Sequence, residues 1–396
     1  MKIVTISTYA PRGTKHANAG GVASYTKNLV TNLPKDLGDE LIVLCNKIDG
    51  KFESYDEDGL KIIRCFDKNI KCFFELFTQI QKIKPDVIHI HQELSLYGGI
   101  LNAYLLQWFL LFLRRYKTII TLHGVVSLKQ IDREFIKGNN SNLPVWLTKL
   151  AFYVIYRPLC VWSKMIIVHE EYFKNILIHE YKVKGDKIIV IHHGVEDLQT
   201  IDQNEARLIL SIDKDKDVCL FMGYLTGYKG IDFLIEGFAE YSKLNPKAYL
   251  IIGAGKHPKL ENDRVYLNEY QRLVNKAQTL IPQDMYRWVG FIKEEDIINY
   301  YSACDVVLFP YTAAISSSGP MAIAIAYRKP ILCSDVFSQV FDEKLLYKRD
   351  RFMIAKALYD YFLKNKSNIL DYIYHLKEER TWKSICQITN RYYKKH

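Results

Sequence analysis

Short apolar runs that alternate with helix-like segments constrain the fold of this chain more than any other feature of its sequence. The runs of the first half lie at residues 2–7, 41–45, 60–65, 87–91, 118–122, 165–169 and 187–192, and helical patterns separate most of them. Strands that are apolar on both faces are typical of parallel sheets covered by helices on each side. Because strand–helix–strand units close with a right-handed crossover, the first half is predicted to be a doubly wound α/β domain.

The same alternation restarts after a polar stretch. Further apolar runs lie at residues 218–222, 248–252, 288–291, 306–309 and 330–333. A length of 396 residues suits two domains. The predicted parts are a Rossmann-like domain over 1–196, a linker over 197–217, a second Rossmann-like domain over 218–375, and a C-terminal helix over 376–396 that packs back on the first domain. We expect a ligand shared by the two sheets at the carboxyl ends of their strands.

The composition indicates a cytosolic protein with an anionic partner. Eight cysteines are spread along the chain without a Cys-x-x-Cys pair, which is typical of reduced thiols. Met1 leads directly into the first apolar run, so we expect no signal peptide. The net charge of +10 favours nucleotide phosphates, an anionic membrane surface or nucleic acid. The basic residues are dispersed and form no recognition motif, which argues against nucleic acid.

Two glycine-containing turns suit phosphate binding. Residues 223–230 join an apolar run to a helical pattern, and Lys229 adds a positive charge beside glycines that allow close backbone approach. Residues 316–320, Ser-Ser-Ser-Gly-Pro, begin another helical pattern with hydroxyl groups and free N–H groups. The simpler interpretations are a turn with a solvated lysine and an ordinary helix N-cap.

Several histidines end apolar runs without forming a metal-binding motif. His91 and His123 end strands of the first half, and His193 follows its last strand. No third ligand at motif spacing accompanies His89 and His91, so we expect buried or cleft-edge histidines instead of a metal site. The Asp-x-Asp pattern at 213–217 alternates with lysines and is interpreted as a solvated turn. No metal is expected.

The segment 105–117 combines aromatic and basic residues. It holds Trp108, Phe109 and Phe112 and ends with Arg114, Arg115 and Lys117. One interpretation is a buried helix whose basic end complements the helix dipole. The other is a contact with an anionic membrane surface, since aromatic and basic residues favour the headgroup layer.

Taken together, these motifs resemble those of the family 4 glycosyltransferases over almost the whole chain. The resemblance depends on Gly-Gly-Val-Ala-Ser-Tyr at 20–25, Asp-Val-Ile-His-Ile-His at 86–91, Thr-Leu-His-Gly at 121–124, His-Gly-Val at 193–195, the turn at 223–230, Val-Gly-Phe at 289–291, and Asp-Val-Val-Leu-Phe-Pro-Tyr at 305–311. It implies the GT-B fold, with two Rossmann-like domains, and retaining transfer of a sugar from a nucleotide donor.

The resemblance also implies roles for individual residues. Lys229 would neutralise the diphosphate and His123 would face the donor sugar, while His193 and His91 would lie on the acceptor side. The residues implied for donor binding are Gly20, Gly21, Tyr224, Lys229, Gly253, Gly255, Phe291, Ile292, Ser317, Ser318 and Gly319.

The chain departs from the pattern of many relatives in three respects, one of which is that the region after Asp335 lacks the usual glycine-rich turns. Tyr224 stands where an arginine is common, and the Glu-x7-Glu pair falls on Ile315 and Ile323. The chain is similar to a branch with Gly-Tyr-x-x-x-Tyr-Lys-Gly and a Ser-Gly element, in which backbone and hydroxyl groups would replace those side chains.

The resemblance implies a metal-independent transferase that acts on a glycan or lipid-linked glycan acceptor. A cytoplasmic protein placed peripherally at the inner membrane face, with contact through residues 105–117, fits this expectation. Two alternatives stay open: a nonenzymatic nucleotide-sugar-binding or inactive partner subunit, and a nucleotide-sugar epimerase. The lack of a recognisable carboxylate pair disfavours the epimerase.

Overall fold

The protein forms two compact α/β units in a computed structural model that describes residues 1–14, 21–36, 38–138, 143–257, 260–313 and 318–395. The first unit contains residues up to Gly194 together with the C-terminal segment from Trp382. The second unit begins at Val195 and ends at Thr381. The polypeptide therefore returns to the first unit at its C-terminus.

The first unit is built on an eight-stranded sheet. Its strands are β1 (Lys2–Ile6), β2 (Glu40–Asn46), β3 (Glu53–Glu57), β4 (Leu60–Phe66), β5 (Val87–Gln92), β6 (Lys117–Leu122), β7 (Met165–Val168) and β8 (Ile188–Val190). Their order across the sheet is β3-β4-β2-β1-β5-β6-β7-β8. Only β3, an edge strand that the sequence pattern does not reveal, is antiparallel to its neighbour among these strands.

Helices cover both faces of this sheet. They are α1 (Gly21–Asn32), α2 (Cys72–Ile83), α3 (Ile100–Phe112), α4 (Arg133–Gly138), α5 (Val145–Trp162), α6 (Glu171–His179) and the C-terminal α14 (Trp382–Lys394). Val4 and Ile6 of β1 pack into a core with α2, α3 and α5, whereas Ile3 packs into a core with α1 and α14. Alternate residues of a strand point to opposite faces, so one apolar strand supplies both cores.

The second unit repeats this architecture around a six-stranded parallel sheet. Its strands are β9 (Asp217–Tyr224), β10 (Ala248–Gly255), β11 (Tyr286–Trp288), β12 (Val306–Phe309), β13 (Ile331–Ser334) and β14 (Leu346–Tyr347), in the order β11-β10-β9-β12-β13-β14. Its helices are α7 (Gln203–Ile209), α8 (Ile231–Leu244), α9 (Arg264–Leu280), α10 (Ile297–Ala303), α11 (Gly319–Ala326), α12 (Arg351–Asp360) and α13 (Lys366–Glu379). The two-sheet fold predicted from the sequence is confirmed.

The segment expected as a linker belongs to the second unit. It contains α7, whose Arg207 is buried and forms an ion pair with Asp305 at 2.7 Å. Asp202 begins this helix by accepting hydrogen bonds from the backbone N–H groups of Asn204 and Glu205. A polar sequence therefore marks an ordered helix here, because its charges are paired inside the unit.

Two further observations concern cysteines and apolar helices. All eight cysteines are buried, and burial raises the pKa of thiols such as that of Cys45 to about 12. Across the described ranges, no helix is both long enough and apolar enough to cross a bilayer.

Candidate functional site

The turn between β9 and α8 is shaped by one glycine. After β9 the chain makes a short 3-10 turn over Gly227–Lys229, and Gly230 adopts the left-handed conformation with φ of 66°. A Cβ atom on Gly230 would lie 1.8 Å from the carbonyl oxygen of Pro310. Only glycine fits this position, both for its backbone angle and for its contact. The turn therefore places Lys229 at the start of α8.

Lys229 is buried inside the second unit. Its ammonium group donates to the Tyr311 hydroxyl and lies 4.0 Å from the centroid of that ring. The Tyr311 hydroxyl in turn bonds to Oγ of Ser318 at 2.8 Å. Burial lowers the pKa of Lys229 to about 7. No carboxylate pairs with this lysine in the described part of the chain.

Two helix N-termini lie beside Lys229. Neither α8, preceded by Gly230, nor α11, preceded by Ser318, receives a hydrogen bond from a capping side chain. A Cβ atom on Gly223 would lie 3.9 Å from Nζ of Lys229 and 3.5 Å from Cγ of Pro320 at the start of α11. Uncapped N–H groups, two positive dipole ends and a buried cation without a carboxylate partner among the described residues together suit an anion.

Two aromatic side chains lie exposed beside this turn. Tyr224 and Phe291 stack at 5.9 Å with an interplanar angle of 17°, and both are exposed to solvent. Phe291 was expected to end a strand, but β11 ends at Trp288 and Phe291 lies in the loop beyond it. A Cβ atom on Gly255 would lie 3.0 Å from the Phe291 ring, so this glycine lets the ring approach.

The neighbouring Ile292 does not share that exposure. Its side chain is buried, and a Cβ atom on Gly253 would lie 2.6 Å from its Cδ1 atom. Ile292 therefore packs the loop against the end of β10. Of Phe291 and Ile292, Phe291 is the one whose side chain is exposed to solvent.

The second unit thus brings together most of the residues predicted around the donor. Tyr224, Lys229, Ser318 and their neighbouring glycines occur at the carboxyl ends of β9, β10 and β12. Gly20, Ser317 and Ile315 lie outside the described residues, and Gly21 begins α1 in the first unit.

Sequence reasoning quoted Tyr311 in a motif without giving it a role. A signal was available, because Tyr311 follows β12 by two residues and β12 is paired with β9, the strand that leads to Lys229.

In the first unit, histidines follow the carboxyl edge of the sheet. His91 lies in β5, His123 follows β6, His169 follows β7 and His193 lies beyond β8. Because these four strands are consecutive neighbours in the sheet, the four side chains form a row. Sequence reasoning did not assign a role to His169, although it ends an apolar run as the others do.

Hydrogen bonds among His91, His123 and His169 assign the proton positions of these three rings in their neutral form. The Ile191 carbonyl can only accept, so Nδ1 of His169 donates to it at 3.0 Å. In neutral rings Nε2 of His169 then accepts from Nδ1 of His123 at 3.3 Å, and Nε2 of His123 accepts from Nδ1 of His91 at 3.2 Å. Burial lowers the pKa of both His123 and His91 well below the ordinary value, which keeps these rings neutral.

The aromatic ring of Tyr25 on α1 contacts the histidines of this row. The Tyr25 ring lies 4.7 Å from the ring of His123, 5.0 Å from that of His193 and 5.0 Å from that of Trp382 on α14. His91 is completely enclosed, and its Nε2 atom has no hydrogen-bond partner among the described residues. We infer that His91 holds the ring of His123 in place through their hydrogen bond. The half-buried His193 is the more accessible end of the row.

The histidines that the structure describes do not assemble a metal site. Within the described ranges, no three His, Cys, Asp or Glu side chains are placed so that they could hold a metal ion.

Comparison with solved structures defines the class of fold. Sucrose-phosphate synthase from Thermosynechococcus elongatus superposes with a TM-score of 0.75 at 18% identity, over 99% of this chain and 98% of that one. Anabaena HepE, solved in complex with UDP, superposes with a TM-score of 0.69 at 13% identity, over 99% of both chains. A further HepE structure contains UDP-glucose. The protein has the GT-B fold of these glycosyltransferases.

Family models give the more specific assignment. The model described as Glycosyltransferase Family 4 matches residues 19–197, and that described as Glycosyl transferases group 1 matches residues 202–341. The chain belongs to the family 4 glycosyltransferases.

The curated relatives are distant and are matched over part of their length. Mannosylfructose-phosphate synthase of Agrobacterium fabrum is 26% identical over 47% of this chain and 44% of its own. D-inositol 3-phosphate glycosyltransferase of Corynebacterium aurimucosum is 24% identical over 69% of this chain and 60% of its own. The match thus spans about half the length of these relatives.

Proposed function

We propose that this protein transfers a sugar from a nucleotide-diphosphate-sugar to a hydroxyl group of an acceptor. The observation that carries the proposal is Lys229, a buried cation without a carboxylate partner among the described residues, beside two uncapped helix starts. A bound diphosphate would supply the missing negative charge. The complexes of Anabaena HepE with UDP and UDP-glucose support a donor of this chemical class.

The proposed chemistry uses this positive charge at the leaving group. Cleavage of the bond between sugar and diphosphate leaves negative charge on the phosphate oxygens, and Lys229 with the N–H groups of α8 and α11 would stabilise it. We propose that the reaction retains the anomeric configuration, with the departing phosphate oxygen accepting the proton of the acceptor hydroxyl on the same sugar face. In this scheme Lys229 supplies the charge that a metal ion supplies in other transferases.

We assign the acceptor side of the reaction to the histidine row of the first unit. His123 is held by His91 and His169 through both ring nitrogens, so its position is determined before any substrate binds. His193 is more accessible and is the better candidate for direct contact with an acceptor. The proposed acceptor is a glycan or a lipid-linked glycan, and the proposed location is the cytoplasm, at the inner face of the membrane.

The test is a donor screen followed by product analysis. Purified protein is first tested for thermal stabilisation by UDP-, GDP-, ADP- and TDP-sugars, and the best donor is then incubated with lipid-linked and soluble glycan acceptors. We expect one donor to stabilise the protein and to be consumed only when an acceptor is present, giving a product with the same anomeric configuration by NMR. Consumption without acceptor to yield an isomeric nucleotide-sugar would indicate an epimerase and overturn the proposal.

A nonenzymatic nucleotide-sugar-binding subunit is the second candidate. It is favoured by Tyr224 and Ile323, which stand where many relatives carry an arginine and a glutamate. It predicts stabilisation by a donor without turnover under any acceptor condition. Donor consumption by the wild-type protein, abolished in Lys229→Met, would exclude it.

A further inference from the structure

We propose that one helical face of the first unit, formed by α2, α3 and α5, docks on an anionic membrane surface. This face, called the aromatic face below, carries Phe74 on α2, Ile100, Trp108 and Phe112 on α3, and Trp146 and Leu150 on α5. The inference does not depend on the proposed transfer reaction, because vesicle binding is measured without donor or acceptor.

The exposure of these side chains is pronounced. Phe74 is 76% exposed, Phe112 is 68% exposed and Trp146 is 67% exposed. Exposed residues of α3 recur at Ile100, Tyr104, Trp108 and Phe112, one per turn along the helix, whereas Leu106 and Leu110 are buried in the core. The buried-helix interpretation and the membrane-contact interpretation of residues 105–117 therefore both apply. One side of α3 packs into the core, and the other side is exposed to solvent.

The three helices form one continuous face. Phe77 of α2 and Phe112 of α3 make an edge contact at 6.3 Å. Trp108 of α3 and Trp162 of α5 lie 5.7 Å apart. These contacts show that α2, α3 and α5 lie side by side, and each of them carries exposed apolar side chains. Exposed apolar surface of this kind marks interaction sites.

The charge of the aromatic face indicates which kind of partner it binds. Neither residues 94–131 nor residues 143–169 contain an aspartate or glutamate. Exposed basic residues accompany the aromatic ones: Arg114 and Arg115 follow α3, and Arg157 lies on α5. Arg115 also donates to Oε1 of Gln81 on α2 at 2.7 Å, which places its charge beside the neighbouring helix. On α2 the acidic residue Glu75 is paired with Lys47 at 2.7 Å, so its charge is neutralised. Aromatic side chains among the arginines of α3 and α5 suit anionic headgroups.

A second copy of this chain is a poorer occupant. Pairing the face with itself would bring the arginines of α3 and α5 together while Glu75 of α2 is already paired with Lys47, and like charges across an interface are unfavourable. Lys117, which the sequence pattern grouped with the two arginines, does not contribute, because its ammonium group donates to the backbone carbonyls of Tyr393 and Lys395.

The aromatic face reaches the edge of the sheet that carries the histidine row. Helix α3 follows β5, and α5 ends just before β7, so Ile100 and Trp146, in the first turns of these helices, lie toward the carboxyl ends of those two strands. His91 lies in β5 and His169 follows β7. A membrane held against this face would therefore bring headgroups toward the edge to which we assign the acceptor.

The test is flotation of the full-length protein with vesicles. One set is phosphatidylcholine alone, and the other contains equal parts of phosphatidylcholine and phosphatidylglycerol. We expect wild-type protein to float with the anionic vesicles only, and added salt to weaken the binding. Phe112→Ser with Trp146→Ser should weaken partitioning roughly tenfold or more, and Arg114→Gln with Arg115→Gln should weaken it roughly 30-fold.

The matched control removes two exposed apolar side chains from the second unit, Leu208→Ser with Phe352→Ser, and should float as the wild type does. Thermal unfolding of each variant verifies its folding. The proposal is overturned if the wild type floats with neither vesicle or equally with both, or if the Phe112 and Trp146 variant floats normally. It is also overturned if lipid-free wild type is a dimer that this variant converts to a monomer, because the face would then bind a second copy.

Discussion

Replacing Lys229 by methionine should stabilise the protein while it abolishes donor binding. The lysine is buried without a carboxylate partner in the described ranges, and burial lowers its pKa from 10.5 to about 7. In the unfolded chain it has its ordinary pKa, so below pH 7 folding carries the full cost of enclosing the charge. Methionine fills a similar volume without that cost.

The magnitude follows from the two pKa values. The difference between 10.5 and about 7 corresponds to about 5 kcal/mol of unfavourable free energy below pH 7. This figure is an upper limit, since methionine also loses the hydrogen bond to Tyr311. Replacements of buried ion pairs by apolar side chains are often neutral or stabilise other proteins by about 1–4 kcal/mol. Because Lys229 is buried without a carboxylate among the described residues, we expect a gain in that range.

The pH dependence makes the prediction specific. The cost is fully present below pH 7 and falls as the pH rises from 7 toward 10.5, because only the unfolded chain stays protonated there. The stability advantage of Lys229→Met should therefore be largest at about pH 6 and less than half as large at about pH 9.

The assay is thermal and denaturant unfolding at both pH values, with and without the stabilising nucleotide-sugar. Lys243→Met is the matched control, since Lys243 lies on α8, the helix that follows Lys229, is 65% exposed and pairs only with Glu240 among the described residues. The control should change stability by less than about 0.5 kcal/mol and keep donor binding. A Lys229→Met variant that is less stable than wild type at pH 6, or that still binds donor normally, would refute the reasoning.

Three further predictions concern the same structure. Gly230→Ala should destabilise the protein by about 3 kcal/mol or more, because its Cβ would meet the Pro310 carbonyl, whereas Gly227→Ala, with open space around that atom, should unfold near the wild-type temperature; equal melting of both variants would contradict this. Tyr311→Phe should weaken nucleotide binding about fivefold to tenfold in calorimetry, because Lys229 loses its hydroxyl partner, and unchanged affinity would remove Tyr311 from the site. Nitrogen NMR of the histidine rings should find the proton of His123 on Nδ1, and a proton on Nε2 would show that the row is ordered differently.

Much of the fold could be predicted because burial leaves a local signature in the sequence. A strand covered on both faces is apolar at successive positions, as in β2 and β12, and this pattern is visible without knowledge of its neighbours. The strand β3, exposed and charged at the sheet edge, has no such signature. The helix α7 was expected to be a linker because its buried Arg207 is as polar in sequence as a solvated residue would be.

In the candidate site, too, some features could be recognised in the sequence and others could not. The turn that positions Lys229 is a continuous segment, so its glycines and its lysine could be recognised together, and family resemblance gave them a role. Contacts across the sheet could not be recognised, since Tyr311 lies 82 positions from Lys229 and meets it only because β12 pairs with β9. The histidine row likewise depends on the order of β5, β6, β7 and β8.

By itself the sequence determined that the chain forms two parallel sheets and that a lysine follows a glycine turn at the start of a helix. Tertiary structure alone decided that this lysine is buried without a carboxylate among the described residues, that His91, His123 and His169 are joined by hydrogen bonds, and that α3 exposes its aromatic side. The physical reason is that periodicity reports how much of each element is buried, whereas charge pairing, proton positions and open faces depend on which distant elements become neighbours.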